Sequence, residues 1–419
     1  MRFSTLDDWL VWQESLHPKA IDLGLARVRQ VFQRLDLPKL PFTLTVGGTN
    51  GKGSCVALLN AILRAEGYRV GTYTSPHLLR YNERIRIDGV SADDDVLCAA
   101  FQRIDQARGD TSLSFFEFGT LAALDIFSKA GLDVQILEVG LGGRLDAVNL
   151  LDADGALIAS IDIDHQDWLG DTRAAIALEK VGIFRAGRPA IVGDPQPPAE
   201  LLAHAEAAGI ALACQGRDFH FTVEGACWSW QGAGWRLNDL PRPAVKGDHQ
   251  LLNASAVLQL LAAVAPRLPV SETAVRRGLT EVSLPGRFQY LGGTVPVLLD
   301  VAHNSQSVRI LADYLAREFP GRVVRAVFAI MRDKDIDAVI AHIRPQVRHW
   351  YLAPLKMPRA ADEALLREAL GRAGVESARG GFPDAAAAFA AASRDAAEGD
   401  LIVVFGSFFL VSEYLTFAS

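Results

Sequence analysis

Short apolar runs alternate along the chain with longer segments in which apolar residues recur every three or four positions. The runs predict buried strands and the longer segments predict helices, so the alternation indicates a mostly parallel sheet covered on both faces. In the first part of the chain the predicted strands are 42–47, 69–74, 133–139, 155–162 and 189–193, and the predicted helices are 4–36, 54–66, 93–107, 117–130, 172–181 and 250–264.

Two stretches interrupt this alternation. Residues 211–240 combine aromatic residues with polar alternation and glycines, which predicts a small antiparallel hairpin unit. Its tryptophans could form a base-stacking platform, but packing in the core or at the surface is the favoured interpretation. Pro285-Gly286 ends the first series, so we predict two domains, 1–288 and 289–419. The second contains predicted strands 295–300, 323–329, 348–352 and 401–405 and predicted helices 305–318, 336–343, 362–373 and 384–397.

The glycine-rich stretch 47–54, Gly-Gly-Thr-Asn-Gly-Lys-Gly-Ser, lies between a predicted strand and a predicted helix. This context is typical of a phosphate-binding loop, in which glycines admit phosphate to backbone N–H groups and Lys52 adds a charge. The stretch departs from the usual pattern, since Val46 replaces a glycine and Gly53 precedes Ser54 after the lysine. A magnesium ligand from elsewhere in the chain is therefore expected. The alternative is an ordinary glycine turn.

Polar residues follow three of the predicted strands. Ser75 comes after the second strand, Glu138 ends the third, and His165 follows the fourth. Because ligands of parallel sheets bind beyond the carboxyl ends of the strands, these side chains are expected near the glycine loop. A hydroxyl, a carboxylate and an imidazole form a credible ligand set for magnesium on nucleotide phosphates. Taken singly, the serine before proline also suits a turn, and the histidine a simple hydrogen bond.

Composition narrows the possible partners and compartment. The 419 residues suffice for two or three domains, and the formal charge of −7 gives no sign of a nucleic-acid-binding surface. The four cysteines lack metal-type spacing and are expected to be reduced thiols of a cytoplasmic protein. The N-terminal residues do not resemble a signal peptide, and no apolar segment is long enough to span a bilayer, so no membrane partner is expected.

Motifs in one order along nearly the whole chain resemble those of the folylpolyglutamate synthase/dihydrofolate synthase family, a branch of the Mur-ligase superfamily. They are Ile21–Val28, the glycine loop, Thr74-Ser75-Pro76-His77-Leu78, Asn82–Ile85, Phe115-Phe116-Glu117, Leu137–Ala147, Asp164-His165, Glu179-Lys180, Pro285-Gly286-Arg287-Phe288, Asp300-Val301-Ala302-His303-Asn304 and Asp333-Lys334-Asp335. The resemblance implies an α/β protein with a P-loop-containing, Mur-ligase-like central domain and a small antiparallel unit, followed by a Rossmann-like C-terminal domain.

The resemblance also implies an activity, the ATP-dependent, ADP-forming addition of L-glutamate to dihydropteroate and to the γ-carboxyl of reduced folates. The implied route passes through an acyl phosphate in a two-domain cleft that closes on ATP, in a monomer. The alternatives are a monofunctional folylpolyglutamate synthase with one pterin site, another Mur-superfamily amino-acid ligase, and a P-loop protein that only binds or hydrolyses nucleotide. A cell-wall ligase needs a nucleotide-sugar domain before the loop, and the sequence offers no room for one before Gly47.

The residue roles implied by the resemblance fall into three groups. Two magnesium ions are implied, with Ser75 and Glu138 on one, Glu138 and His165 on the other, and a possible carbamate on Lys180 as a further oxygen donor; Lys52, His165 and Lys180 are the implied catalytic residues. The implied nucleotide contacts are Thr49, Asn50, Gly51, Lys52, Gly53, Ser54, Asn253, Arg287, Asp300 and His303. The substrate candidates are Leu23, Gly24, Leu25, Arg27, Arg80, Phe116, Asp146 and Ala147, with Phe116 equally suited to a core position.

Overall fold

The strands of the computed structural model, which describes residues 2–19 and 21–418, form three sheets. They are β1 Phe42–Gly47, β2 Val70–Tyr73, β3 Ile85–Ile87, β4 Val90–Ser91, β5 Val134–Glu138, β6 Gly155–Ile158, β7 Ala190–Val192, β8 Leu212–Cys214, β9 Phe219–Glu224, β10 Cys227–Gly232, β11 Trp235–Pro241, β12 Gln289–Leu291, β13 Val297–Asp300, β14 Val324–Phe328, β15 Val347–Leu352 and β16 Leu401–Phe405.

Helices connect most of these strands. They are α1 Leu6–Ser15, α2 Ala26–Leu35, α3 Lys52–Glu66, α4 Asp94–Arg108, α5 Phe115–Lys129, α6 Gln166–Leu169, α7 Arg173–Val181, α8 Ala199–Ala207, α9 His249–Val264, α10 Glu272–Glu281, α11 Ser305–Glu318, α12 Ile336–Ile343, α13 Glu363–Arg372, α14 Ala385–Asp395 and α15 Phe408–Ala418. Three short 3-10 turns span Tyr81–Arg84, Ala147–Leu150 and Arg344–Gln346. Over the described ranges, none of the helices has the length and apolar character needed to cross a membrane.

The chain divides into two units. The first consists of Met1–Ile161, Leu169–Ala244 and Gln250–Ser283, and the second of Asp162–Trp168, Val245–His249 and Leu284–Ser419. Two short segments from the earlier part of the chain therefore group with the later part. The assignment of domain roles to 1–288 and 289–419 stays a prediction.

The first unit contains an eight-stranded sheet in the order β4-β3-β2-β5-β1-β6-β7-β8. Strands β2, β5, β1, β6, β7 and β8 are parallel, and β3 and β4 add an antiparallel edge. The interior of β1 is buried, as a strand in the middle of a doubly covered sheet requires. The predicted mostly parallel sheet is confirmed, and β1 lies between β5 and β6, where its carboxyl end is flanked by two other strand ends.

The predicted antiparallel hairpin unit is present as a three-stranded sheet, β9 to β11. Trp228 and Trp230 are about 1% exposed, and their indole nitrogens donate to the carbonyl of Pro241 at 2.9 Å and to Ser255 Oγ at 3.0 Å. These two tryptophans pack in the interior, which confirms the packing interpretation for them. Residues 212–214 were predicted within this unit, and that prediction is wrong because they pair with β7 as the edge of the parallel sheet.

The prediction of one helix over 4–36 is also wrong, because α1 ends at Ser15 and α2 begins at Ala26. Pro18 lies between them, and a proline cannot supply the backbone N–H that a continuing helix needs. The N–H of Gly24 instead donates to the carbonyl of Leu145 at 3.2 Å. The interruption therefore brings a segment without regular secondary structure against the loop that follows β5.

The second unit contains a five-stranded sheet in the order β12-β13-β16-β14-β15, in which only β12 is antiparallel. The buried residues of α11, α12 and α13 pack on this sheet in one apolar core. The four predicted strands and four predicted helices of this part are present with small changes of bounds. Helices α6, α8, α10 and α15 and the edge strands β3, β4 and β12 were not predicted.

Candidate functional site

The glycine loop joins the buried strand β1 to helix α3. Gly48 and Gly51 have positive φ values of 141° and 84°, and α3 begins at Lys52. The N–H of Thr49 donates to the carbonyl of Ser160 at 2.7 Å, and the N–H of Asn50 donates to Ser160 Oγ at 3.1 Å. Ser160 follows β6, so the strand beside β1 holds the loop in place. Ser160 was not predicted as a site residue, because the predicted strand 155–162 placed it inside a strand, whereas β6 ends at Ile158.

Lys52 folds back over this loop. Its Nζ donates to the carbonyls of Gly48 at 3.0 Å and Thr49 at 3.1 Å. Asn253 on α9 packs closely against the loop, because a Cβ added to Gly51 would be only 2.5 Å from Asn253 Oδ1. Glycine is therefore required at position 51 for both its φ and its space.

The predicted nucleotide contacts of the first unit thus lie together. Thr49, Asn50 and Gly51 form the loop, while Lys52, Gly53 and Ser54 form the first turn of α3. The N-terminus of a helix presents backbone N–H groups and a favourable dipole to an anion. Lys52 adds a full positive charge at the same end of the helix. This arrangement suits a phosphate chain.

Glu138 ends β5 beside the last residues of β1. Val46 pairs with Glu138 in the sheet, and the N–H of Val139 donates to the carbonyl of Val46 at 2.9 Å. The Glu138 side chain is buried, and the N–H of Ser75 donates to its Oε2 at 3.2 Å. Burial and the nearby charge of Glu138 both raise the pKa of the Cys55 thiol. Two of the predicted magnesium ligands, Ser75 and Glu138, are therefore neighbours.

Lys180 lies on the last turn of α7 and is 3% exposed. The loop after β5 contacts this turn, since the N–H of Arg144 donates to the carbonyl of Glu179 at 2.8 Å. A Cβ added to Gly143 would be 2.9 Å from that carbonyl oxygen and 3.1 Å from Lys180 Cα. Burying a lysine is costly unless its charge is compensated or altered.

No group of three or more His, Cys, Asp or Glu side chains that could hold a metal ion occurs within the described ranges. A metal bound at Glu138 would therefore need at least one ligand other than these four side-chain types. The hydroxyl of Ser75 is one such group, and a carbamate on a lysine would be another, because hard cations such as Mg²⁺ prefer oxygen ligands. His165 belongs to the second unit and Glu138 to the first, so their predicted shared ion stays a prediction.

The predicted substrate residues of the N-terminal segment lie beside the loop after β5. The hydrogen bond from Gly24 to Leu145 places Leu23, Gly24 and Leu25 next to Asp146 and Ala147. Phe116 is half-buried, and its ring covers Gly140, where an added Cβ would be 2.6 Å from the ring. Tyr73 also contacts Phe116, with ring centroids 5.7 Å apart and the rings tilted by 35°.

The Asp146 carboxylate is buried and accepts hydrogen bonds from backbone N–H groups. Its oxygens accept the N–H groups of Leu141 at 2.9 Å and Val148 at 3.0 Å, which fixes the loop and caps the following 3-10 turn. Burial raises the pKa of Asp146 to about 6, against the opposing effect of backbone hydrogen bonds and the charge of Lys52. Asp146 therefore lies within electrostatic reach of the glycine-loop lysine.

The two predicted substrate arginines differ in their surroundings. Arg27 donates to Asp22 at 2.5 Å and to the buried Glu117 at 3.1 Å. Arg80 is 67% exposed and pairs with Asp94 at 2.9 Å. Arg27 is therefore held close to the N-terminal segment, whereas Arg80 extends into solvent.

In the second unit, Asp300 ends β13 and holds the segment that contains Arg287. Its oxygens accept the N–H groups of Phe288 at 2.9 Å and Ala302 at 2.8 Å. Burial raises the pKa of Asp300, although the charge of Arg287 acts against this. The guanidinium of Arg287 lies 5.0 Å from the ring centroid of Phe408. Arg287, Asp300 and His303, the predicted nucleotide contacts of this unit, are thus close in space.

A buried ion pair lies beside His303. Asp164 and Lys334 are each 7% exposed and are joined at 2.5 Å, and Asn304 Nδ2 donates to Asp164 at 3.0 Å. Burial alone would raise the pKa of Asp164, but His303, His165 and Lys334 together hold it far below its usual value. Sequence reasoning included Asp164 and Lys334 in motifs but gave neither a role; the only signal was that each adjoins a charged or imidazole residue after a strand.

Comparison with known proteins places these features in a family. Residues 286–408 match a family described as Mur ligase, glutamate ligase domain. The chain is 44% identical over 414 residues to the dihydrofolate synthase/folylpolyglutamate synthase of Escherichia coli strain K12, covering 98% of this chain and 95% of that protein.

Solved structures of proteins from this family are also similar to the chain in fold and sequence. One, described as E. coli FolC in complex with DHPP and ADP, has a TM-score of 0.93 and 43% identity and covers 99% of this chain and 97% of that one. Another, described as bifunctional folylpolyglutamate synthase/dihydrofolate synthase with Mn, AMPPNP and L-glutamate bound, has a TM-score of 0.91 and 45% identity and covers 99% and 98%. The similarity therefore extends over both units.

The raised pKa of Asp146 predicts a pH effect on stability. Its pKa is about 6 in the folded protein against an ordinary value of 3.8, so the folded chain binds this proton more tightly. The stabilisation is complete below about pH 4 and is lost as the pH rises through about 6. The Asp146→Asn variant lacks this titration. We expect its free energy of unfolding, relative to wild type, to rise by about 3 kcal/mol between about pH 4 and pH 7.

Urea unfolding of both proteins across this pH range measures the difference, in which the other titrating groups cancel. Any constant loss caused by the weaker hydrogen bonds of asparagine leaves the slope unaffected. A difference that does not change with pH would contradict the assignment.

Proposed function

The chain belongs to the dihydrofolate synthase/folylpolyglutamate synthase family, which confirms the resemblance found in its motifs, and from this premise we propose its reaction. The protein is an ATP-dependent ligase that adds L-glutamate to dihydropteroate, forming dihydrofolate, and to the γ-carboxyl of reduced folates. The products of each turnover include ADP and phosphate. The observation that carries the proposal is the position of Glu138 at the end of β5, beside the end of β1 from which the glycine loop leads to Lys52.

The chemical problem is to bring two anions together. The substrate carboxylate attacks the γ-phosphate of ATP, and an acyl phosphate forms as ADP leaves. The amine of L-glutamate then attacks the acyl carbon, an amide forms, and phosphate leaves. Lys52 and the N–H groups at the start of α3 offset the repulsion at the phosphates. The acyl phosphate reacts readily with water, so the reaction requires a site from which water is excluded.

The residues at the end of β5 fit a divalent cation. Glu138 is a buried carboxylate, and the N–H of Ser75 on its Oε2 brings the Ser75 hydroxyl close by. We assign Ser75 and Glu138 to one Mg²⁺, which would neutralise phosphate charge when bound. The solved relative with Mn and AMPPNP supports a divalent ion with the nucleotide.

A second Mg²⁺ is proposed with Glu138 and His165 as ligands and a carbamate on Lys180 as an oxygen donor. The support for the carbamate is the depth of Lys180, which is 3% exposed on the last turn of α7. When the ammonium loses a proton and the free amine adds CO₂ with release of a second proton, a buried cation becomes a carbamate anion that a hard metal ion can bind. Lys52, His165 and Lys180 are accordingly the proposed catalytic residues.

The nucleotide is assigned to the glycine loop, Asn253, Arg287, Asp300 and His303. For Asn253 the support is its side-chain oxygen beside Gly51. For Arg287, Asp300 and His303 it is their proximity within the second unit and the solved relative that contains ADP. We assign residues 289–419 as the glutamate ligase domain, in keeping with the family match over 286–408.

The pterin end of the substrate is assigned to the first unit. Leu23, Gly24 and Leu25 adjoin Asp146 and Ala147 through the bond from Gly24 to Leu145. The half-buried ring of Phe116 next to Gly140 offers an aromatic face to a flat heterocycle. Arg27 and the loop containing Arg80 are the candidates for a second pterin position. The four cysteines are free thiols, which suits a cytoplasmic enzyme, and we propose a monomer.

Two steady-state assays test the proposed reaction. Glutamate incorporation is measured with dihydropteroate and, separately, with tetrahydrofolate, and we expect turnover of both. The acceptors share a pterin–benzoyl body but differ in length by a glutamate, so one catalytic centre serves both only if the pterin binds in two positions. Product from tetrahydrofolate alone would indicate the monofunctional alternative. ATP turnover that is independent of acceptor and glutamate would contradict a ligase.

The carbamate predicts a specific pattern of chemical rescue. Lys180→Ala is expected to lower the turnover number by about 100-fold, because it removes a charged group from the reacting centre. Short aliphatic carboxylic acids, added to the assay, are expected to restore part of the activity by supplying a carboxylate in the vacated space. Lys52→Ala serves as the control and is expected to show no rescue. A fully active Lys180→Ala enzyme would show that this residue has no catalytic role.

A further inference from the structure

Asp164 is a carboxylate with several donors in the interior of the second unit. It lies in the segment Asp162–Trp168, which comes shortly after the end of strand β6 in the chain. Its Oδ1 accepts Lys334 Nζ at 2.5 Å and the N–H of His165 at 2.8 Å. Its Oδ2 accepts Asn304 Nδ2 at 3.0 Å. One side chain therefore connects three separate segments of the chain.

The ring of His303 is held from two sides. Its Nδ1 is 2.8 Å from the carbonyl oxygen of Val301, and its Nε2 is 3.6 Å from Asp164 Oδ2. A carbonyl can only accept, so Nδ1 carries a proton and donates it. The other nitrogen, Nε2, faces the Asp164 carboxylate and is attracted to it when it carries the second proton of an imidazolium. The orientation of this ring depends on Asp164 as well as on the backbone.

Asn304 extends the connection to helix α11. Its Oδ1 accepts the N–H of Ser307 at 3.0 Å and caps the helix, while its amide nitrogen donates to Asp164. Both ends of the amide are engaged, which fixes its orientation. The N-terminus of α11 is therefore tied to the same carboxylate as the ring of His303.

The backbone at His165 also requires support. His165 has a φ of 54°, in the left-handed region that a residue with a side chain adopts at a cost. The N–H of this residue donates to the side chain of the preceding aspartate, a local hydrogen bond that stabilises such a turn. The direction of the His165 side chain thus depends on Asp164.

We propose that Asp164 is a positioning residue of the ligation reaction, which orients His165 through its backbone and His303 through its ring. The positive charge of Lys334 offsets the free-energy cost of burying the Asp164 carboxylate. The inference rests on the proposed function, because that function gives His165 and His303 their roles. It adds a role for an ion pair that touches neither nucleotide nor metal in the assignment above.

The second unit offers a matched ion pair for comparison. Arg325 and Asp400 are 12% and 9% exposed and are joined at 2.7 Å, and Asp400 also accepts the N–H of Ala397 at 3.0 Å. Neither residue is bonded to a proposed site residue in these contacts. Asp400→Asn therefore removes a similar buried charge without disturbing the two histidines.

The first measurement compares the turnover and thermal stability of Asp164→Asn and Asp400→Asn. We expect both variants to unfold at lower temperature by similar amounts. Asp164→Asn is expected to lower the turnover number by about 100-fold with a smaller change in KM, since small displacements of catalytic groups have effects of this size. Asp400→Asn is expected to stay within about twofold of wild type. Equal losses of turnover in the two variants would overturn the proposal.

The second measurement records the nitrogen NMR signals of the histidine rings. This measurement does not depend on enzyme activity. His303→Gln identifies the signals of His303. We expect Asp164→Asn to shift the Nε2 signal of His303 and Asp400→Asn to leave it unchanged. An unchanged signal in Asp164→Asn would overturn the proposal. If wild-type protein ligates no glutamate, the proposed function fails, and this signal still decides whether Asp164 orients the ring.

Discussion

The parallel pairing of β1 with β5 determines where the charged groups of the first unit lie. The register matches Val46 with Glu138, so the strand that leads into the glycine loop ends beside the strand that carries the carboxylate. Strand β6 pairs with the other edge of β1 and supplies Ser160, which holds Thr49 and Asn50. A shift of one residue in this register would turn the Glu138 side chain to the opposite face of the sheet.

Buried charge is the second constraint on this protein. Glu138, Asp146, Asp164, Lys180 and Asp300 are each less than a tenth exposed. The aspartates are compensated by backbone N–H groups, as at Asp146 and Asp300, or by a counter-charge, as at Asp164. A buried ion pair contributes little to stability by itself, because loss of hydration offsets the attraction. The ion pair of Asp164 with Lys334 therefore needs an explanation other than stability, and the orienting role proposed for Asp164 supplies one.

The sequence predicted the alternating elements and the glycine loop well, because strand burial and turn chemistry are local properties. It failed for 4–36, where apolar spacing continued across Pro18 although the helix does not. It also failed for 212–214, since three residues are too few to show whether a strand joins the parallel or the antiparallel sheet. The grouping of Asp162–Trp168 with the later part of the chain, and the ion pair of Asp164 with Lys334, depend on contacts across 170 positions that no local pattern reveals.

The most direct test of this account is the loss of the Lys52 charge. Lys52→Ala is compared with Lys39→Ala, which removes an exposed lysine before β1, by measuring glutamate-dependent phosphate release from ATP. The account predicts that Lys52→Ala lowers the rate by about 100-fold or more with an unchanged circular dichroism spectrum, because the loop loses its full charge at the phosphates. It predicts wild-type turnover for Lys39→Ala. Near-normal turnover in folded Lys52→Ala would contradict the assignment of the glycine loop as the site of ATP-dependent ligation.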